Sequence, residues 1–297
     1  MANNLFKVAD FSLPLTDLRT DAGEPVLNQL RPAFRIDTVF RYYDHKDETL
    51  PGKTLSATEA DAIIAAGLKI GVVFQHHNDD PAKFLDPASG TKDADRALEL
   101  ADEIRQPYGS AIYFGVDGPE RHLGPLIQEY RLNGGSPMSE ERKAALRAEG
   151  KFHLIASYAD FIRFGKAAFQ LDKLDEVTPA KMEPVIQRYF TAIRDAFRLY
   201  ARQHHGSGYK VGMYCTGAMC LLGDAGKLAD YFWVSPEGRN DPEYKQFLNR
   251  ENRWNLVQQL PTSCSSWTSG SRQQQPGFDF DYLNPRATDF GQWAVKR

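Results

Sequence analysis

Cysteine is scarce in this chain of 297 residues. Cys215, Cys220 and Cys264 are too few for a disulfide framework and fall in no zinc-ligand spacing. Folding in a reduced compartment follows. Charge of one sign is lacking too: 36 Lys and Arg against 39 Asp and Glu leave a net charge of −3, so no basic field draws the chain to nucleic acid or to an anionic membrane. No apolar run approaches the roughly 20 residues of a membrane span, which excludes insertion. The first residues, MANNLFKVADFSLPLTDLRTD, carry no basic start, no long apolar stretch and no small-residue cleavage site. The expectation is a protein made in the cytoplasm without a recognisable signal peptide, reaching any target outside the cell by a non-classical route. Glycine-rich phosphate loops of the GxGxxG and GxxxxGK[ST] types are absent, as is the GxSxG elbow of serine hydrolases.

What remains is an ordinary globular composition, 42% hydrophobic and 25% charged, enriched to 12% in aromatic residues that suit cores and sugar faces alike. Strand-like and helix-like segments alternate. FRIDTVFRYY (34–43) reads as a first strand. LSATEADAIIAAGL (55–68) reads as a helix headed by Ser56 with Glu59 three residues on, a capping box, and ended by Gly67. KIGVVFQHH (69–77) is a second strand, TKDADRALELADEIRQP (91–107) a helix, and AIYFGVDG (111–118) a third strand. A long amphipathic helix opens at Thr178-Pro179 or near Pro184; KVGMYCTG, YFWVSP, WNLVQQL and GFDFDYLNP supply the later strand-like pieces.

Such alternation predicts an α/β fold with parallel pairing and right-handed crossovers. Without a phosphate loop, a closed (β/α)8 TIM-like barrel is favoured over an open nucleotide-binding sheet. One domain, 1–297, is expected, with a helical insertion over 121–177 after the third strand. In a barrel that insertion lies on the C-terminal face, where active sites sit. It is a lid or substrate-shaping subdomain, or else a tolerated surface elaboration.

Acids recur at strand ends: Asp37 in the first strand, Asp117 closing the third, Asp279 and Asp281 in FDFDY. Strand ends of a barrel converge on one mouth, and crowding raises at least one carboxyl pKa, which suits the acid and anion of glycoside hydrolysis. Each has a plainer reading. Asp37 could face solvent, Asp117 could cap its Gly-Pro turn, and Asp279 with Asp281, which share a strand face, could line a solvated edge. Gln75, Gln258, Tyr214 and Trp233 are candidate substrate contacts, the aromatics as a sugar floor or as core. His76 and His77 are adjacent and point apart on a strand, with no third ligand at metal spacing, so the run HHNDD reads as a polar loop and no metal is expected. A cysteine nucleophile needs a nearby histidine that the sequence does not supply.

These ordered pieces, IDTVFRYY, LSATEADAIIAAGLKIGVVFQ, TKDADRALELADEIRQPYGSAIYFGVD, VIQRYFTAIRDAF, YKVGMYCTG and FDFDYLN, resemble the DUF1906 (Rv2525c-like) group of glycoside-hydrolase-like TIM-barrel domains, similar to family 25 lysozymes. The resemblance implies a barrel acting on peptidoglycan, a muramidase-like lysin or secreted antibacterial effector, without organic or metal cofactor. A secretion machine or an immunity protein would be its protein partner. By position Asp37 matches the family's first-strand aspartate and Asp117 the one closing the third strand, while Asp279 and Asp281 resemble the acidic last strand. Related lysozymes place a second acid two residues after the strand-end aspartate. Pro119 stands there in this chain, and Glu120 comes one residue late. The catalytic set expected is therefore Asp117, Asp37, Glu120 and Asp279, with Gln75, Tyr214, Trp233, Gln258 and Asp281 binding substrate. The alternative is a barrel that binds a glycan or protein without turnover.

Overall fold

Parallel strands buried on both faces need apolar residues at every position, and the segment 111–116 meets that demand. Ala111 and Tyr113 point into the barrel while Ile112, Phe114 and Val116 pack outward against helices. The computed structural model describes residues 6–20, 22–45, 52–259, 267–269 and 278–297. Cys264 lies outside them.

Among the described residues, eight strands close into a barrel: β1 (Phe6–Phe11), β2 (Thr38–Tyr43), β3 (Lys69–Phe74), β4 (Ala111–Val116), β5 (Lys210–Cys215), β6 (Tyr231–Val234), β7 (Leu256–Gln258) and β8 (Phe278–Leu283). The expected fold class is borne out. Two features were not foreseen. The barrel opens with β1, ahead of FRIDTVFRYY, so the strand before the insertion is fourth in the ring. And β8 runs antiparallel to both neighbours, β1 and β7, while the other pairings are parallel. Because β8 runs against the others, its first residues, not its last, reach the mouth.

Helices α1 (Ala57–Ala65), α2 (Ser89–Glu103), α6 (Met182–Gln203), α7 (Gly217–Ala225) and α8 (Pro242–Leu248) flank the barrel. Between β4 and β5 the insertion adds α3 (Leu123–Leu132), α4 (Glu140–Ala148) and α5 (Phe152–Phe169). Helix α5 packs on the short helix Pro81–Leu85 and is tied there by the Ser157 hydroxyl, which donates to Asp80 Oδ2 at 2.6 Å. Ser56 caps α1 as the sequence predicts, accepting from the Glu59 amide at 3.1 Å. The Glu59 carboxylate turns away from the reciprocal half of a capping box. It meets the fully buried Arg41 of β2 at 2.7 Å and the Leu15 amide at 2.8 Å. Arg41 also donates to the carbonyls of Phe11 and Gly52. One guanidinium thus anchors the end of β1 and the loop that follows β2.

Below the mouth the barrel is filled, not hollow. Phe40 and Trp233 meet in a tilted contact with centroids 4.6 Å apart, Tyr113 meets Phe40 edge-on at 5.3 Å, and the Tyr113 hydroxyl donates to the Phe290 carbonyl at 3.0 Å. The C-terminal segment closes the bottom, where Trp293 exchanges backbone hydrogen bonds with Ile70 at 2.7 and 2.9 Å. Room for these rings comes from two strand glycines. A methyl group on Gly71 would sit 2.5 Å from Phe40 Cζ, and one on Gly212 2.4 Å from Tyr113 Cγ. Replacing Gly212→Ala is expected to destabilise the fold by about 1–3 kcal/mol through overpacking, read by chemical denaturation. Unchanged stability would contradict a tightly filled interior.

Candidate active site

Strand β1 reads FKVADF, and its inward positions are Val8 and Asp10. Asp10 is buried at 2% exposure near the C-terminal end of its strand. Opposite it in the antiparallel ladder stands Asp279. Gln258 of β7 lies between them: its Nε2 donates to Asp10 Oδ2 at 3.0 Å and to Asp279 Oδ2 at 3.1 Å. Laid end to end, these two lengths put the carboxylate oxygens no more than about 6.1 Å apart. The Tyr214 hydroxyl fixes the amide by donating to Gln258 Oε1 at 2.6 Å, and the Tyr42 hydroxyl donates to Asp10 Oδ1 at 2.7 Å.

Two carboxyls brought this close in a dry place resist ionising together. Burial, and then the charge of Asp279, push Asp10 up to about 7 against the opposing hydrogen bonds from Tyr42 and Gln258. Burial raises Asp279 to about 6. Burial also lifts the phenols of Tyr42 and Tyr214 well above their usual value, so both remain protonated donors.

Asp279 opens onto a cavity of about 270 Å³ at the mouth, whose wall also includes Tyr42, Val73, Gln75, Asp117, Tyr214, Trp233, Ser235, Glu237 and Gln258. Asp117 follows the last residue of β4, and Gly118, at φ 65°, turns the chain away behind it. The Ser235 hydroxyl donates to Asp117 Oδ1 at 3.2 Å. Burial raises the Asp117 pKa; Asp79 and Glu120 add to the rise, while Ser235 and Arg121 oppose it. Glu237 brings a further carboxylate to the wall and is ion-paired with Arg121, from the start of the insertion.

The mouth therefore gathers Asp117, Asp279, Gln75, Tyr214, Trp233 and Gln258, all anticipated from sequence. Three expected residues lie elsewhere. Asp37 precedes β2 and sits at the opposite end of the barrel, half-exposed, with Lys7 at 3.9 Å and Arg31 at 4.0 Å. The first-strand position assigned to it belongs to Asp10, because β1 and not β2 opens the barrel. Asp281 is beneath the floor: on an antiparallel strand, two residues further along means deeper. It is fully buried, accepts from Trp233 Nε1 at 2.7 Å, and its Oδ2 has no partner among the described residues. Burial, Asp10 and Asp279 raise its pKa well above the ordinary carboxylate value, as suits a neutral acid supporting the tryptophan. Glu120 is absent from the cavity wall; the turn Pro119–His122 leaves its Oε2 buried with no hydrogen-bond partner among the described residues.

Asp10, Tyr42, Ser235 and Glu237 were missed. Asp10 did carry a signal, since VADFSLP, like FGVDGP, is a short apolar run ending in an aspartate before a proline-bearing turn. The thiols of Cys215 and Cys220, 3.1 Å apart, are buried in the outer core, and burial raises Cys215 well above the usual thiol value, the opposite of what a nucleophile needs. No group of three or more His, Cys, Asp or Glu among the described residues is arranged to hold a metal ion. No helix among them is long and apolar enough to cross a membrane.

The structure is similar to two crystal structures of the Mycobacterium tuberculosis Tat-secreted protein Rv2525c, one in complex with HEPES and one with L-tartrate. Each has a TM-score of 0.51 and 17% sequence identity, over 97% of this chain and 99% of that one. At that identity the likeness establishes the fold. Rv2525c itself is Tat-secreted, an export that uses a signal peptide, and this counts against the expectation of a protein without a recognisable signal peptide and with a non-classical export route. No curated protein matches the chain. Residues 28–123 match the family described as "Rv2525c-like, glycoside hydrolase-like domain", which bears out the resemblance read from sequence over that part of the chain.

Proposed function

We propose that the protein is a glycoside hydrolase acting on bacterial cell-wall peptidoglycan. The observation that carries this reading is the Asp10–Asp279 pair bridged by one Gln258 amide, at a cavity whose wall also holds Asp117. Cleavage of a glycosidic bond needs one carboxyl that still holds a proton and a second that is charged. Asp279, held at about 6 by burial, delivers a proton to the leaving oxygen, while Asp10 beside it, raised to about 7 by burial and by the charge of Asp279, holds its proton more tightly. Asp117, steadied by Ser235, serves as base, nucleophile or electrostatic stabiliser of the positive charge that develops on the sugar. Trp233 and Tyr214, with rings 4.6 Å apart, offer an aromatic floor to the ring. Peptidoglycan as the polymer rests on the resemblance to family 25 lysozymes.

A second reading, a barrel that grips glycan or protein without turnover, is favoured by one observation. Where related lysozymes carry their second acid this chain has Pro119, and Glu120 lies off the cavity wall.

Turbidity of a purified peptidoglycan suspension separates the two. The protein is expected to clear it with or without chelator, and Asp117→Asn and Asp279→Asn each to slow clearing by roughly 10²–10⁴-fold, the usual contribution of a positioned acid or base. Binding without clearing by all three proteins would establish the second reading. A further check follows from the raised carboxyls. Their stabilising contribution is fully present below the unfolded value of 3.8, declines as pH rises, and is gone above about 7. The unfolding temperature of Asp279→Asn relative to the unsubstituted protein should therefore become more favourable as pH rises from about 4 to about 7. A difference independent of pH would contradict the assignment.

A further inference from the structure

The loop after β3 serves two cavities. Gln75 faces the mouth, whereas His76 and His77 line a second cavity of about 320 Å³, closed on its far side by His153, Ser157 and Asp160 of the insertion helix α5. The change of direction runs through His77, held at φ 47°, a left-handed conformation that costs a non-glycine residue about 1–2 kcal/mol and is commonly kept where a ligand is handled.

The charged groups of this cavity are largely satisfied by one another. Lys83 pairs with Asp93 and Lys92 with Asp86, each at 2.8 Å, and Asp80 accepts from Ser157. His45 commits Nε2 to Asp93 at 2.8 Å, and His76 commits Nδ1 to Asp44 at 2.7 Å, so each keeps one ring nitrogen for a ligand. The side chains of His77, His153 and Asp160 have no hydrogen-bond or ion-pair partner among the described residues. A phosphate or carboxylate ligand would find no unpaired lysine, and a metal ion no preformed set of three ligands. Imidazole nitrogens that donate or accept, beside one free carboxyl, suit hydroxyl groups. The volume, at the lower end of the roughly 300–1,000 Å³ range of small-molecule sites, suits one sugar ring.

We propose that this second cavity is a saccharide subsite contributed by the insertion, which receives a sugar unit of the same glycan chain whose scissile bond lies in the mouth. The proposal rests on the reading of the mouth as a glycan site. The insertion thereby sets the chain length the protein prefers.

The test uses the full chain with ¹⁵N-labelled histidine and tryptophan side chains and β-1,4-linked N-acetylglucosamine oligomers from dimer to hexamer, with the Trp233 indole N–H signal reporting the mouth. The hexamer, and not the dimer, should move the imidazole signals of His45, His76, His77 and His153. His153→Ala, an exposed site where folding is not at stake, and Asp160→Asn should each weaken hexamer affinity by roughly tenfold, the loss of about one hydrogen bond, and leave the dimer's unchanged. Equal affinity for dimer and hexamer, with unmoved imidazoles, would overturn the subsite and leave the mouth reading intact. Moved imidazoles with an unmoved Trp233 indole signal would support the subsite and count against the mouth. Imidazole shifts with equimolar zinc chloride but with no oligomer would overturn the proposal in favour of a metal site.

Discussion

An antiparallel strand closing an otherwise parallel barrel is the constraint from which the site follows. Hydrogen-bond register between β1 and β8 sets Asp10 opposite Asp279, and their alternation turns both inward. The ladder keeps their Cα atoms opposite one another, and Gln258 bonds both carboxyls in place. Burying both as anions would be costly, since two like charges would face each other in a medium that screens poorly. The chain answers with a single amide that donates to both and with phenols that stay protonated, and the remaining strain is relieved by keeping a proton into the neutral range.

Rigidity around that pair comes from the packing beneath it. The interior is occupied by Phe40, Tyr113, Trp233 and Phe290, and adjoining strands carry Gly71 and Gly212 where a side chain would collide with Phe40 and Tyr113. Trp233 is held from below by Asp281 and meets Tyr214 above, so the floor of the mouth and the residue that orients Gln258 belong to one continuous stack. Arg41 does the same from outside, holding the Phe11 carbonyl next to Asp10. The mouth is then a shallow, preformed opening over a solid core, an arrangement suited to holding groups in place.

Much of this could be read from the amino acids, and the exceptions have physical causes. Strands 69–74, 111–116 and 210–215 announce themselves as apolar runs because parallel strands are covered on both faces. The strand carrying Asp10 did not, because FKVADF mixes a lysine and an aspartate into six residues and precedes any helix that would mark a βα unit. Taking FRIDTVFRYY as the opening strand moved the first-strand acid to Asp37, at the wrong end. The inward alternation of Asp279 and Asp281 was legible, but strand direction was not, and direction decides which of the two meets solvent. Glu237 lay beyond local pattern altogether, since it reaches the cavity wall by a loop and an ion pair with a residue more than a hundred positions away.

The central claim is that barrel closure forces a proton to be retained between two carboxyls at the mouth. Following the side-chain carboxyl ¹³C resonances of Asp10 and Asp279 by NMR across a pH titration tests it most directly. The account predicts midpoints near about 7 for Asp10 and about 6 for Asp279. Two independent transitions near the ordinary aspartate value of about 3.9 would contradict it.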